Sequence, residues 1–260
     1  LLALALACIQ GLTEFLPVSS SAHLLFPSLL FGAKDFGLVF DIAVHAGTLA
    51  AVIFYFKEDI FRLFRAWLPW TRDRDEDEFL LGLNLIIATL PIVFVGLLFS
   101  DLISERMHSV DSIAWANLIF AGLLLIAFQA SSQSKNILGI TLSMAIMIGC
   151  LQALAVFPGA SRSGMAITGA LLVGLNLKDS SKFAFLLSIP TILGAIVLML
   201  VSEAYVLSMD DLMILLAGFI GSGIIAFLTI GIFLQFVERI GMIPFVVYRI
   251  LLGLILLLVW

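Results

Sequence analysis

Charge is what this chain has least of. Asp, Glu, Lys and Arg make up 12% of its 260 residues, where soluble domains carry about a quarter. Apolar residues fill 62% and the mean hydropathy is +1.21, so a soluble globular domain is excluded and a polytopic membrane protein remains. The net charge of -5 offers no basic surface to a nucleic acid. Cysteine is nearly absent. Cys8 and Cys150 form no Cys-x-x-Cys pair and no metal-ligand spacing, and they read as small packing residues rather than a disulfide. The chain opens LLALALAC, with no Met and no basic residue ahead of the apolar run. That form suits a signal peptide, but its Cys-x-Gln-x-Leu pattern returns in mid-chain, where no signal could stand. A start codon a few residues upstream is the simpler expectation.

What the chain does have is one polar design written twice. Cys8-Ile-Gln10-Gly-Leu12 returns as Cys150-Leu-Gln152-Ala-Leu154, an offset of 142 residues. Phe15-Leu-Pro17-Val-Ser-Ser-Ser21 returns as Phe157-Pro158-Gly-Ala-Ser-Arg162-Ser163. The first loop is rich in Glu, Ser and His; the second carries an Arg. The repeat predicts two loops that meet in one site, whose Ser, His and Arg would suit a phosphorylated lipid.

The apolar pattern predicts an all-α polytopic membrane protein. A spanning helix needs about 20 apolar residues. Residues 1–16 and the run to Gly32 both fall short around PVSSSAH, which predicts a re-entrant hairpin with its turn at depth. Spans follow at 38–56, 80–100 and 113–130. Between the first two, Lys57 to Glu78 reads as a solvated charged loop, and DLISERMHSVDS and SSQSKN as short turns. A second hairpin covers 137–177, though its first arm, 137–157, is long enough to span alone. Three more spans are expected at 183–201, 212–234 and 243–260. This makes six transmembrane helices plus two re-entrant helical hairpins in a single integral membrane domain, 1–260. Three spans separate the hairpins, an odd number, so the halves (about 1–130 and 137–260) form an inverted repeat, whose sites lie where the repeats meet.

Lys and Arg set the sidedness. Lys57, Arg62, Arg65, Arg72, Arg74, Lys135, Lys178, Lys182 and Arg239 fall on one side, Lys34 and Arg106 on the other. The basic side is then cytoplasmic. The first hairpin enters from the outer face, the Arg162 hairpin from the inner face, and both chain ends lie outside.

Glu14 is the leading chemical candidate. A charged residue at membrane depth costs about 2.5–3.5 kcal/mol on insertion scales, so its retention points to function. Gln10 lies one turn earlier on the same face, and the two oxygens could ligate a hard divalent cation. The plainer reading is that Glu14 only holds the hairpin turn. Ser19, Ser20 and Ser21 crowd the turn and could donate to phosphate oxygens. Ser20 and His23 are three apart, within hydrogen-bond reach if helical, which suits a serine nucleophile with a histidine base, or a histidine nucleophile or acid. As plain structure, the serines would be helix caps and His23 a core residue. In the second loop, Pro158 and Gly159 make a turn, and Ser161, Arg162, Ser163 and Gly164 start a helix. Helix N-termini bind anions, and a guanidinium matches phosphate geometry. Arg162 needs an anion at that depth, either the ligand or Glu14. Asp41 and His45, four apart on one helix face, rank second. Lys182 and Arg249 read as snorkelling to the interface.

QGLTEFLPVSSSAHL resembles the (Glu/Gln)-x-x-x-Glu plus Pro-x-Ser-Ser-x-x-His signature of the undecaprenyl-diphosphate phosphatase family, the bacitracin-resistance type. PGASRSGMAITGALL is similar to its second signature, Pro-Gly-x-Ser-Arg-Ser. FDIAVHAGTLAAVIFYF and KFAFLLSIPTILGA also resemble family segments, so the likeness runs the length of the chain. It implies six spans with two re-entrant hairpins and an integral membrane hydrolase. The implied reaction takes undecaprenyl diphosphate to undecaprenyl phosphate on the outer side of the bacterial inner membrane, recycling the peptidoglycan carrier and conferring bacitracin resistance. It implies a divalent metal cation (Mg or Ca), held by Glu14 and Gln10. By the same resemblance Glu14, Ser20, His23 and Arg162 are catalytic, and Gln10, Ser19, Ser21, Gly159, Ser161, Ser163 and Gly164 bind substrate. Many members have Thr four residues after the Arg. Here Ala166 stands there and Thr168 is the nearest substitute. The expected partners are the carrier lipid and membrane lipids, with no nucleic acid and with a homodimer left open.

Ser20, His23 and water all remain open as nucleophile. The rival from another class is a transporter or flippase of the same lipid, for which inverted repeats and a span broken at Pro91 would speak. A phosphoenzyme trapped on Ser20 excludes the histidine nucleophile. Carrier translocation that survives both Ser20→Ala and His23→Ala, with no phosphate released by the wild type, establishes the transporter.

Overall fold

The computed structural model describes residues 1–32, 35–68, 75–99, 109–202 and 209–259. Lys34, Arg72, Arg74 and Arg106, which bear on sidedness, lie outside them, as does most of the turn at 101–112. Eleven α-helices form among the described residues. In order they are α1 (Leu2–Thr13), α2 (Ser20–Phe31), α3 (Gly37–Tyr55), α4 (Lys57–Trp67), α5 (Glu76–Leu98) and α6 (Val110–Ala130). They continue with α7 (Leu142–Ala153), α8 (Arg162–Leu172), α9 (Leu177–Ser202), α10 (Met209–Ile240) and α11 (Ile243–Val259).

Five of these, α3, α5, α6, α9 and α10, are long and apolar enough to cross a membrane. The 17-residue α11 is apolar but shorter. By contrast α1, α2 and α7 have 12 residues each and α8 has 11. At 1.5 Å per residue such a helix covers about 18 Å, little more than half of a hydrocarbon core of about 30 Å. The sequence made 137–157 long enough to span alone, and here the structure differs. Asn136 and Thr141 cap separate turns through their side-chain oxygens, and α7 stops at Ala153 in a 3₁₀ turn before Pro158. Both polar loops therefore end pairs of half-length helices.

The charged stretch from Lys57 is not all loop. Ile60, Leu63, Phe64 and Trp67 recur at helical spacing and fold it into the amphipathic α4. Its other end, Asp75 to Glu78, starts α5: the Asp75 carboxylate accepts the Glu78 N–H at 3.1 Å, and the acids suit the positive end of the helix dipole. Pro91 sits inside a continuous α5, so that span is not broken. Lys182 does not snorkel. Its Nζ lies 2.7 Å from Asp59 Oδ1, which also accepts from Arg62, and Arg62 Nε donates to Glu78. Lys135 pairs its backbone with Gly174 and Asn176, so the basic residues of α4, of the α6–α7 turn and of the start of α9 lie among these linked segments.

Lipid does not drive apolar helices together as water does, so close packing of small residues must. α3 crosses α10 at Gly47, where a Cβ would stand 2.2 Å from Phe219 O. Ser222 Oγ donates to Val44 O at 2.9 Å across the same crossing. α5 meets α7 where a Cβ on Gly149 would lie 2.5 Å from Ala88 O. α6 packs on α11, and α8 is enclosed by α6, α7 and α9. The main core joins Phe183, Phe185, Ile148, Ile167 and Phe233, and Phe15 of the first loop meets Phe185 edge-on at 5.2 Å. Large apolar side chains also cover the outside, among them Phe94, Leu98, Ile126 and Ile232. Cys8 and Cys150 are unpaired as expected, but both are exposed, so they are not packing residues.

Gly47→Ala is expected to cost roughly 1–3 kcal/mol by overpacking. Gly122→Ala, whose Cβ meets nothing within 4 Å, should be neutral or stabilising by up to about 1 kcal/mol. Thermal unfolding in detergent checks this, and equal melting of the two variants would contradict the close α3–α10 crossing.

Candidate active site

The two polar loops meet. α1 carries Gln10 and Glu14 one turn apart, and Pro17 ends that arm. Ser19 follows with φ +70, an uncommon left-handed conformation outside glycine, and α2 starts at Ser20. In the second loop Ser161 repeats the device: with φ +68 it caps α8, its Oγ accepting the Gly164 N–H at 3.2 Å. The bend puts Arg162 at the first position of α8.

Glu14, 5% exposed, is the hub. Its Oε2 accepts from Gln10 Nε2 and from Ser20 Oγ, each at 2.7 Å. Its Oε1 is paired with Arg162 Nη2 from the other loop. His45 Nε2 stands 3.8 Å from Oε2. A second link ties the loops: Ser163 Oγ donates to Leu16 O at 2.8 Å. Burial grades the cluster. Gln10, Glu14, Ser19, Ser161 and Ser163 are buried, while Ser20, His23, His45 and Arg162 are half-buried and Ser21 is exposed. An apolar cavity of about 240 Å³, lined by Leu12, Leu16, Phe233, Phe236, Ile240 and Phe245 among others, adjoins the first loop.

Ser20 and His23 are not joined as their spacing suggested. Ser20 turns back to Glu14, and His23 turns outward. His23 Nδ1 lies 2.7 Å from Ser19 O, which can only accept, so Nδ1 carries the hydrogen. In the neutral ring Nε2 then accepts from Tyr248 O–H at 2.5 Å. Tyr248 also lies nearly parallel to the imidazole, 5.7 Å between centroids. Thr168 is no substitute phosphate donor, because its hydroxyl is spent on Gly164 O at 2.7 Å and is fully buried. Ser19 and Ser21 hydroxyls lie 3.4 Å apart, and those of Ser161 and Ser163 3.3 Å apart. Gly159, with φ +94, makes the expected turn.

Three further residues reach the site with little local pattern to mark them. His45 reaches the cluster, and its Nδ1–H is accepted by the Asp41 backbone oxygen at 2.7 Å. Tyr248 joins it through His23. Arg249 does not snorkel: it is 0% exposed, and its Nη2 donates to Gly159 O at 2.8 Å and Ala160 O at 3.0 Å. The signal for the last two was a Tyr-Arg pair in an otherwise apolar span.

Among the described residues no group of three or more His, Cys, Asp or Glu could hold a metal ion. Glu14 has both oxygens engaged by donors. Gln10 Oε1, beside it, is buried without a partner, and amide oxygen and nitrogen exchange by a simple flip. Two such oxygens are too few for a resident hard cation, which takes six or more. They suit at most a cation that brings most of its own shell.

The sequence profile of the family described as bacitracin resistance protein BacA matches residues 3–255. A protein of Teredinibacter turnerae named undecaprenyl-diphosphatase is 47% identical over 255 residues, covering 96% of each chain. Proteins of the same name from Saccharophagus degradans and Alcanivorax borkumensis are each 45% identical, and cover 94% and 97% of their own lengths. Glu14 and Arg162 thus come together in a chain similar to these proteins along nearly its whole length, and the chain belongs to the bacitracin resistance protein BacA family.

Proposed function

We propose that this protein is an integral membrane hydrolase that converts undecaprenyl diphosphate to undecaprenyl phosphate and inorganic phosphate. The observation that carries the reading is the junction of the two loops, with Ser20 and Arg162 held on the two oxygens of Glu14. Its chemistry fits the name shared by the relatives. Arg162 and the first N–H groups of α8 bind the terminal phosphate and stabilise the charge on the transferring phosphoryl. Ser20 is the nucleophile, because its hydroxyl already donates to a carboxylate, whereas both nitrogens of His23 are bonded elsewhere. Ser20 Oγ attacks the terminal phosphorus and its proton passes to Glu14 Oε2. The bridging oxygen keeps the bonding pair and leaves on undecaprenyl phosphate. Water then adds to the phosphoserine phosphorus and gives its displaced proton to the released phosphate, while Glu14 returns its own proton to Ser20. His23, turned to Tyr248, orders the start of α2 rather than attacking. Glu14 and Gln10 would hold a divalent cation arriving with the diphosphate, and that cation would neutralise phosphate charge.

The same reading gives six spans, counting α11, and two re-entrant hairpins in an inverted repeat. What supports it is the pairing of contacts when the halves are exchanged: α1 packs on α10 as α7 packs on α5, α1 on α2 as α7 on α8, and α3 on α10 as α9 on α5. The linked basic segments of α4, the α6–α7 turn and the start of α9 favour a cytoplasmic end. The site then faces outward from a bacterial inner membrane, where the recycled carrier re-enters peptidoglycan synthesis and bacitracin loses its target. The cavity beside Leu16 suits the first part of the prenyl tail. The transporter reading is not favoured: Pro91 breaks no helix, and a carrier needs no hydroxyl set on a carboxylate.

Phosphate release from undecaprenyl diphosphate by the purified protein in detergent tests this. Glu14→Gln and Arg162→Ala are each expected to lower kcat at least ~100-fold, the scale of losing one transition-state partner, while still folded. A chelator should abolish release and added Mg should restore it. Well-folded wild type that releases no phosphate would sink the hydrolase.

A further inference from the structure

Arg249 is a buried cation. Among the described residues no carboxylate lies within ion-pair distance of it, whereas Arg162 is already paired with Glu14. It is fully buried, and its Nε and Nη1 have no hydrogen-bond partner. Its one bonded nitrogen, Nη2, holds two consecutive carbonyls, Gly159 O and Ala160 O. The guanidinium also passes under the first turn of α8, where a Cβ on Gly164 would stand 3.2 Å from Nη1.

This grip has a directional consequence. In a trans peptide the C=O and N–H point opposite ways. Drawing the Ala160 carbonyl toward Arg249 turns the Ser161 N–H away from it. Of the next donors, Gly164 N–H is taken by Ser161 Oγ at 3.2 Å and Met165 N–H by Ser161 O at 2.9 Å. The N–H groups of Arg162 and Ser163, at the first two positions of α8, need a partner from outside the helix. Ser161 is held at φ +68 between the gripped carbonyl and this turn, a conformation that a side chain rarely adopts unless its surroundings impose it.

We infer that Arg249 is the positioning residue of the anion cradle: it turns the Gly159 and Ala160 carbonyls away from the ligand and puts an uncompensated positive charge behind the α8 N-terminus. Being fully buried, it does not touch the substrate and acts through the loop peptides. Its charge adds to the helix dipole where the phosphate binds. With Arg162 and Glu14 cancelling one another, Arg249 leaves the free cluster net positive, which draws in a diphosphate. This rests on the reading of the ligand as a diphosphate.

Arg249→Met, Arg249→Gln and Arg249→Lys would be compared with wild type in detergent. The readouts are the melting midpoint, KM and kcat for lipid diphosphate, and the Ki of methylenebisphosphonate, a diphosphate that cannot be hydrolysed. Arg249→Met and Arg249→Gln should raise Ki at least tenfold and lower kcat. Arg249→Lys, which keeps the charge but loses the planar guanidinium, should fall between them and wild type. A purely structural role moves the melting midpoint alone. A folded Arg249→Met with wild-type Ki and kcat overturns the inference. If Arg249→Met and Arg249→Gln do not fold, Arg249→Lys decides: a weaker Ki at wild-type melting upholds it, and a wild-type Ki overturns it. Wild type that neither releases phosphate nor binds the bisphosphonate sinks the hydrolase reading itself. Wild type that does both, beside an indifferent Arg249→Met, sinks only this inference.

Discussion

The ion pair between Glu14 and Arg162 is the constraint on which the rest depends. Two charges 148 residues apart in sequence are costly to bury singly, because neither then has water to solvate it. Burying both is eased when the loop that carries one reaches the other. That requires half-length helices to bring both loops inward, and backbone irregular enough to turn there. The left-handed Ser19 and Ser161 supply the turns, and Ser163 on Leu16 O locks the two loops in register. In the proposed reaction the pair is what a phosphate engages, since Arg162 can exchange a carboxylate for a phosphate oxygen with little change in geometry.

The surrounding helices hold those loops by close contact rather than by apolar attraction. Phe219 O near Gly47, and Ala88 O near Gly149, leave no room for a side chain. Phe15 against Phe185 fixes the first loop on α9. Polar side chains off the site are mostly turned back on their own helix, as Thr89 donates to Leu85 O and Thr191 to Leu187 O. Beside the loops, Gln10 Oε1 and Arg249 Nε and Nη1 are buried without partners. Asn117 Oδ1 and Gln152 Oε1 are likewise buried without partners.

Much of this was legible in sequence. The repeat of Cys8-Ile-Gln10 as Cys150-Leu-Gln152 marked both pairs of half-length helices, and the concentration of Glu14, Ser20 and Arg162 in two apolar-flanked loops marked the junction. Partner choice was less legible. Ser20 and His23 have the spacing to bond, yet Ser20 chose Glu14 and His23 chose Tyr248, 225 residues away. Arg249 and Lys182 look alike as cations bordering long apolar runs. One lies under the second loop and the other on Asp59, and local pattern does not separate them. The amphipathic stripe of α4 was present in Ile60, Leu63, Phe64 and Trp67, but the charges around it hid it.

By itself the sequence determined the solvent, the helices and the two polar loops. Hydropathy, helix length and breaking residues are local properties, fixed by the energetics of a chain against lipid. Tertiary structure alone decided which polar atoms met. A serine hydroxyl, an imidazole or a guanidinium has several partners within reach of its own helix. The choice among them is made by distant backbone, here α10 and α11 closing on the hairpins, because an unpaired polar group in a medium without water must take whichever partner the packing delivers.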